Sequence, residues 1–546
     1  MGNCLTLNST ATAPLAIDTN FKLPSPLPSW PPGNGFASGT IDLGGLVVSQ
    51  ISSFTKVWAT REGGQDNLGA SFYEPSPLPD GFFMLGSYAQ PNNQPLYGWT
   101  LVGKDTSSGA LKLPIDYTLV WNSESLNIKK EGNGYIWSPV PPDGYKALGY
   151  IVTNSPDKPP LGKVHCVRAE LTDQCEADTW IWGQGSSSNS SGINLFTSQP
   201  SSRGIQAQGV SVGTFVANIS GATTPSLSCL KNNGNITLNM PNLDQIKALF
   251  EAYSPYIYFH PDEEYLPSSV NWFFCNGALL YHKGDNPVSI QPNGTNLPQG
   301  GSNDGEYWLD LPQDNAGKNR VKKGNLQNSE AYLHVKPMLG GTFTDIAVWL
   351  FYPFNGPART KVGLVNIKLG RIGQHVGDWE HMTLRISNFN GELKMIYFSQ
   401  HSGGTWVDAS NLEFLTGNKP VGYSSLHGHA MYSKPGLVLQ GSGGIGIRND
   451  AAKSKMTMDA GLTYSIVAVE YLGARIIEPP WLNYARKWGP KIDYDINTEL
   501  KDIEKVLVGK IKSDFKKFVD SLPAEILGED GPTGPRTKNN WSGDEV

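Results

Sequence analysis

The stretch Gln374-His375-Val376-Gly377-Asp378-Trp379-Glu380-His381-Met382-Thr383-Leu384-Arg385-Ile386 carries the densest chemistry in the chain. Strand side chains alternate between two faces, so Asp378, Glu380, Met382, Leu384 and Ile386 share one face, and Trp379, His381, Thr383 and Arg385 share the other. The two carboxylates therefore extend an apolar face. An ionised carboxylate in that place is costly unless it meets a cation or several donors, so the pair invites a bound metal or a buried Arg or Lys. Hard oxygen ligands favour magnesium, calcium or manganese, and added imidazole admits iron or zinc.

Five of the nine histidines fall nearby: His375, His381, His401, His427 and His429. His401 ends the strand-like run Leu393–Gln400, and His427-Gly428-His429 sits in a turn-rich segment. In a β-sandwich such ends converge on one rim. If the cluster is catalytic, His381, His401 and His429 are the candidates to move protons. The alternative is a structural network in which the carboxylates accept backbone N–H groups and orient loops.

These residues need elements to hold them. At 546 residues the chain is long enough for more than one core. Only 17% of residues are charged, 10% are aromatic, and 61 Gly and 39 Pro punctuate the sequence, which suits many short strands and turns. The expected fold class is mainly β. With 43 Lys+Arg against 49 Asp+Glu the formal net charge is -6, and no basic stripe suits a nucleic-acid backbone. Nucleic acid is therefore not an expected partner. No apolar run is long enough to span a bilayer, and the first thirty residues show no secretory signal pattern. Five cysteines (Cys4, Cys166, Cys175, Cys229 and Cys275) form neither a disulfide framework nor a paired zinc motif. A reducing cytosol is expected, in which the sequons at Asn218 and Asn293 carry no sugar.

Between about residues 40 and 225 the chain repeats itself. Val57-Trp58, Pro79-Asp80-Gly81 and Leu85-Gly86 recur as Val120-Trp121, Pro142-Asp143-Gly144 and Leu148-Gly149, each shifted by the same interval. A third copy runs Ile181-Trp182, Gly209 and Val212-Gly213-Thr214-Phe215. A small sheet cannot bury its apolar face alone, so three packed around an axis form a β-prism. The expected organisation is a lipidation signal and Pro-rich linker over 1–40, a β-prism-like repeat domain over 41–240, a β-sandwich bearing the His/Asp/Glu cluster over 241–490, and a C-terminal helix and polar tail over 491–546. Pro241–Phe250 reads as a short helix, and Ile346–Pro353 as a strand buried on both faces. At the far end, Ile496, Leu500, Ile503, Leu507, Ile511, Phe515, Phe518 and Leu522 recur at helical spacing between lysines. That stripe suits docking on the sandwich; a basic amphipathic helix can also lie on an acidic bilayer.

Met1-Gly2-Asn3-Cys4-Leu5-Thr6 satisfies the myristoylation pattern at Gly2. One myristoyl chain holds a protein only marginally, and no Lys or Arg precedes Lys22, so stable anchoring needs palmitoylation of Cys4. Leu23–Pro32, rich in proline, reads as an extended spacer.

The repeat resembles the membrane-binding prisms of vesicle-trafficking adaptors and of large lipid-transport proteins of the vacuolar sorting pathway. Tyr253-Ser254-Pro255, His260-Pro261-Asp262-Glu263, Leu266–Trp272, His375–His381 and Gly531-Pro532-Thr533-Gly534-Pro535 resemble the plant family related to yeast vacuolar protein sorting-associated protein sixty-two, a domain of unknown function. Gln374–Glu380, with Phe351-Tyr352-Pro353-Phe354-Asn355 before it and Gln400-His401-Ser402-Gly403-Gly404 after it, is similar to the motif of secreted necrosis-inducing toxins, whose β-sandwich binds a divalent cation. That resemblance implies a metal set of His375, Asp378, Glu380, Asn355 and His401. Here Asn355 stands where the toxins have Asp, and Gly377 where they have a second His.

The expected function is a lipid-anchored peripheral membrane protein that binds membranes or trafficking partners, with a divalent-metal site, on the cytoplasmic face of the plasma membrane or of an endomembrane such as the vacuole, and with a cytosolic pool. The enzyme alternative is a metal-dependent hydrolase built on His375, Asp378 and Glu380, although no familiar catalytic motif is present. A third reading is a toxin-like or lectin-like module for membranes or sugars. Cargo, lipid, substrate and oligomeric state are left open.

Overall fold

A computed structural model describes residues 19–64, 67–183, 192–219, 226–401, 403–442, 445–492, 494–519 and 531–545. Gly2 and Cys4, expected to be lipidated, and Leu522 of the C-terminal stripe lie outside the described residues. The protein is mainly β and divides into two compact units, one built chiefly from residues 38–203 and 207–236 and the other from 24–37, 204–206 and 237–546. Among the described residues no helix is long and apolar enough to cross a membrane.

In the first unit the repeat becomes three equivalent strand sets. They are Phe54–Ala59 with Ala70–Pro75 and Tyr88–Pro91, Asp116–Asn122 with Tyr135–Val140 and Ile151–Thr153, and Thr172–Gly183 with Ile193–Pro200 and Phe215–Ile219. Each set contributes one tryptophan to a shared centre. Ring centroids lie 6.0 Å apart for Trp58 and Trp121, 5.7 Å for Trp121 and Trp182, and 6.4 Å for Trp58 and Trp182. Phe72, Ile136, Val152, Leu195 and Phe215 fill the core around them, which is how three sheets too small to stand alone bury their faces.

The Leu-Gly landmarks also meet. A Cβ added to Gly86 would come within 2.7 Å of Gly149 Cα and 2.7 Å of Thr214 Cγ2, so the backbones of the first two copies touch where the third places its threonine. Thr214 Oγ1 donates to Leu148 O at 2.6 Å across that junction. Among the described residues Cys166, Cys175, Cys229 and Cys275 are free thiols.

The second unit is a sandwich organised by a six-stranded sheet. In spatial order its strands are Gly403–Asp408, Leu393–Gln400, His375–Ser387, Phe343–Asn355, Ala331–Met338 and Tyr464–Val469, antiparallel except for the last pair. Phe343–Asn355 is buried at every position, as expected for Ile346–Pro353 at its centre. Two coverings account for this. On one face, Trp349, Phe351 and Trp379 pack with Phe273, Phe274, Trp481 and Trp488. On the other face lies a four-stranded sheet containing Tyr256–Phe259 and Val421–Ser424, close enough that a Cβ on Gly422 would meet Met382 Sδ at 2.6 Å.

The expected helix after residue 240 spans Leu243–Tyr253. Asn242 caps it, accepting from Gln245 N while the Gln245 side chain accepts from Asn242 N. The proline-rich segment is not a free spacer. Trp30 Nε1 donates to Asn390 O at 2.8 Å, and Gln245 Nε2 donates to Pro31 O at 2.9 Å, so residues 24–37 lie against the second unit.

The C-terminal stripe does not form the single helix expected of it. The stripe forms two helices, Ile496–Val506 and Gly509–Val519, broken where Gly509 takes φ +58°. Their apolar faces dock on a sheet that includes Arg359–Val362 and Ile445–Ala451, with Leu500, Phe515 and Phe518 buried against Val362, Ile372 and Ile447.

Candidate functional site

Strand register assembles the site. In the pairing of Phe343–Asn355 with His375–Ser387, Leu350 lies opposite Glu380, Tyr352 opposite Asp378 and Asn355 opposite His375. Asn355, His375, Asp378, Glu380 and His401, the five residues expected to hold a metal, all line one cavity of about 260 Å³.

Gly377 shows why the motif lacks a second histidine here. Its φ is +70°, and a Cβ would fall 2.7 Å from Trp488 O, so no side chain fits. The Gly377 carbonyl accepts a 2.7 Å hydrogen bond from His375 Nδ1, which leaves His375 Nε2 as the ring nitrogen with a lone pair. Burial lowers the His375 pKa, favouring the neutral ring a metal requires.

The two carboxylates are held in opposite states. Burial and the negative charge of Asp378 push the Glu380 pKa well above the carboxylate range, with Ser399 Oγ donating to Glu380 Oε2. Burial also opposes ionisation of Asp378, but the hydrogen bond from His429 and the charge of Lys538 hold its pKa below the usual value. His429 Nδ1 donates to Asp378 Oδ2 at 2.8 Å, and its ring stacks on Tyr352 with centroids 3.9 Å apart. Its Nε2 is buried without a hydrogen-bond partner, 4.0 Å from Glu263 Oε1. Glu263, in the His260-Pro261-Asp262-Glu263 motif, accepts from Tyr265 N at 2.9 Å and His427 N at 2.6 Å.

The rim is strained. His401, His427 and His429 take φ values of +59°, +70° and +56°, in the left-handed region that costs any non-glycine residue energy. His401 Nε2 is 3.0 Å from Asn449 Oδ1.

The cavity also holds cations that no motif in the sequence marks. Lys538 comes from the C-terminal tail, and Arg359 and Arg448 from the neighbouring sheet. Both arginines are tied to Asp450, at 3.7 Å and 2.5 Å. No sequence signal marks Lys538; Glu263 was visible as part of a motif, without a role.

His381, a candidate proton carrier, is not part of this cavity. It faces the opposite side of the sheet, where its Nε2 lies 3.1 Å from Glu545 Oε2. Thr383 Oγ1 donates to Glu545 Oε1 at 2.6 Å, and Arg385 forms a bidentate pair with Asp345 at 2.9 and 2.7 Å while its Nη2 reaches Asp544 at 2.5 Å. Lys336 Nζ, fully buried, donates to Asn540 O at 2.7 Å. The polar face of the strand is thus covered by the tail through charge-assisted bonds.

The donor set of the cavity, two carboxylates, a neutral imidazole and an amide, fits a divalent cation in chemical type. Among the described residues no group of three or more His, Cys, Asp or Glu side chains stands close enough together to hold one.

The family model described as vacuolar protein sorting-associated protein 62 matches residues 17–545. Vacuolar protein sorting-associated protein 62 of Saccharomyces cerevisiae is 24% identical over 216 residues, covering 34% of this chain and 44% of the yeast protein. The chain thus spans less than half the length of that relative. Among solved structures, GNIP1Aa from Chromobacterium piscinae is similar at 18% identity, over 38% of this chain and 40% of that one, with a TM-score of 0.29. NLPPya in complex with glucosamine is similar at 12% identity, over 39% and 76% of the two chains, with a TM-score of 0.20.

Proposed function

The chain belongs to the vacuolar protein sorting-associated protein 62 family, and from that premise we propose that it is a peripheral membrane protein with a role related to vacuolar sorting, whose sandwich carries a divalent-cation site. In this reading Gly2 is myristoylated and Cys4 palmitoylated, and the protein works on the cytoplasmic face of the plasma membrane or of an endomembrane such as the vacuole, with a cytosolic pool and trafficking proteins as partners. The observation that carries the cation site is the convergence of Asn355, His375, Asp378, Glu380 and His401 on one cavity.

A bound divalent ion supplies positive charge that offsets the two buried carboxylates. The residues that would hold it, once their side chains closed on the ion, are Asp378, Glu380, His375 through Nε2 and Asn355 through its amide oxygen, with magnesium, calcium or manganese favoured by the oxygen donors. Elemental analysis of the purified protein beside an Asp378→Asn/Glu380→Gln variant tests this. Stoichiometric metal in the parent and loss in the variant support the site, and no metal in either removes it. Gly2→Ala moving the protein from the membrane fraction to the cytosol tests the anchor.

A second reading, a metal-dependent hydrolase, is favoured by one feature. His401, a candidate proton carrier, lines the cavity beside the two carboxylates. Phosphate- and carboxylate-ester turnover that depends on added cation and vanishes in His401→Gln would support it.

A further inference from the structure

The two C-terminal helices spend their apolar stripe on the sheet beneath them, with Leu500, Phe515 and Phe518 buried. Lys501, Lys505, Lys510, Lys516 and Lys517 are exposed; the first helix mixes its two lysines with Glu499, Asp502 and Glu504, and the second is the basic one. Gly509–Val519 carries four lysines against one aspartate, and the hairpin strands Arg359–Val362 and Val365–Lys368 beneath it add Lys361 and Lys368, Arg359 being paired with Asp450, in a chain of net charge -6. Among the described residues Lys510 and Lys517 have no ion-pair partner, whereas Lys516 lies 3.2 Å from Glu504.

Two large apolar side chains stand out of this same basic module. Leu364, at the tip of the hairpin, is 97% exposed, and Val508, at the corner between the helices, is 77% exposed. Each sits beside a glycine in the left-handed conformation, Gly363 or Gly509, and each is bracketed by cations, Lys361 and Lys368 or Lys505 and Lys510. The other two apolar residues more than three-quarters exposed among the described residues lack that ring. Leu462 lies near Asp459, and Ile477 precedes Glu478.

We infer that this helix-and-hairpin module is a docking surface for an anionic lipid bilayer, with the lysines meeting headgroups and Leu364 and Val508 entering the interface. Charge complementarity selects the partner, since acidic leaflets attract lysines near their surface. Apolar side chains at apexes suit a fluid interface better than a shaped protein partner. The inference deepens the peripheral-membrane reading proposed above and needs no acyl chain.

The test uses the full chain carrying Gly2→Ala/Cys4→Ser, which cannot be acylated there, mixed with phosphatidylcholine vesicles with or without phosphatidylserine. Binding is expected only with phosphatidylserine, and it weakens as salt rises. Lys510→Glu/Lys517→Glu lowers affinity by at least about tenfold. Leu364→Ser/Val508→Ser lowers it while leaving the salt dependence largely unchanged. All four side chains are exposed, so matching unfolding curves verify the fold. Absence of binding to phosphatidylserine vesicles, or binding unaffected by both pairs of substitutions, overturns the inference. If the acylated chain binds neutral vesicles while the unacylated chain ignores phosphatidylserine, the inference falls and the anchor stands. Binding of the unacylated chain through these residues, with Gly2 found unmodified in cells, supports the inference and removes the anchor.

Discussion

His429 Nδ1 donates a 2.8 Å hydrogen bond to Asp378 Oδ2, joining a loop and a central strand 51 residues apart in a site where the imidazole has no exposure to solvent. A buried carboxylate that loses its partner retains the desolvation cost without the compensation. His429→Ala is therefore expected to cost about 3 kcal/mol in the unfolding of the second unit at neutral pH. Asp378→Asn/His429→Ala should cost less than the two single losses added together, because the two residues act on one another. Urea unfolding followed by tryptophan fluorescence provides the double-mutant cycle; strict additivity would show the pair to be uncoupled.

Divalent-cation affinity is expected to rise with pH. Burial and Asp378 raise the Glu380 pKa, so Glu380 retains a proton that a ligating carboxylate must release. Calorimetry in buffers of different ionisation enthalpy should detect proton release on binding, and Glu380→Gln should remove it. Lys538 lines the same cavity and its charge acts on both carboxylates, so Lys538→Met should strengthen binding on the order of tenfold. Weaker binding in Lys538→Met would mean that the lysine organises the site and does not compete with the ion.

The tail should loosen in acid. Burial pushes the Glu545 pKa up, but His381, Lys336 and Thr383 overcome this and hold it far below the usual carboxylate range. A carboxylate depressed in the folded state contributes stability above its unfolded pKa, and that contribution is lost as pH falls toward the folded value. Limited proteolysis is expected to cut near residues 531–545 more readily below about pH 4. Glu545→Gln should make the tail labile already at neutral pH and flatten that dependence. Equal protection of both proteins at every pH would refute the role given to Glu545.

In the first unit, Gly149→Ala places a Cβ 2.7 Å from Thr214 Cγ2 and 2.9 Å from Gly86 Cα. Backbone cannot yield as a flexible side chain can, so the expected loss is about 1–3 kcal/mol. Trp58→Ala, which empties part of the three-tryptophan centre, should cost about 3–5 kcal/mol. Thermal unfolding of both variants checks the order.

Local pattern was enough for several features because their physical cause is local. Period-two alternation placed Asp378 and Glu380 on one face and His381, Thr383 and Arg385 on the other, since consecutive strand side chains must point to opposite sides. The spacing of Trp58, Trp121 and Trp182 announced three copies because each small sheet needs the others to bury its face. Helical spacing from Ile496 to Phe518 revealed an amphipathic segment, although a left-handed Gly509 divides it in two. What covers each face was decided only in three dimensions. Asn355 meets His375 because of strand register, Glu263 nears His429 across two loops, and Lys538 and Glu545 reach opposite sides of one strand from the same tail. Such pairings depend on long-range packing and loop closure, and a side chain's own neighbours in sequence carry no record of them.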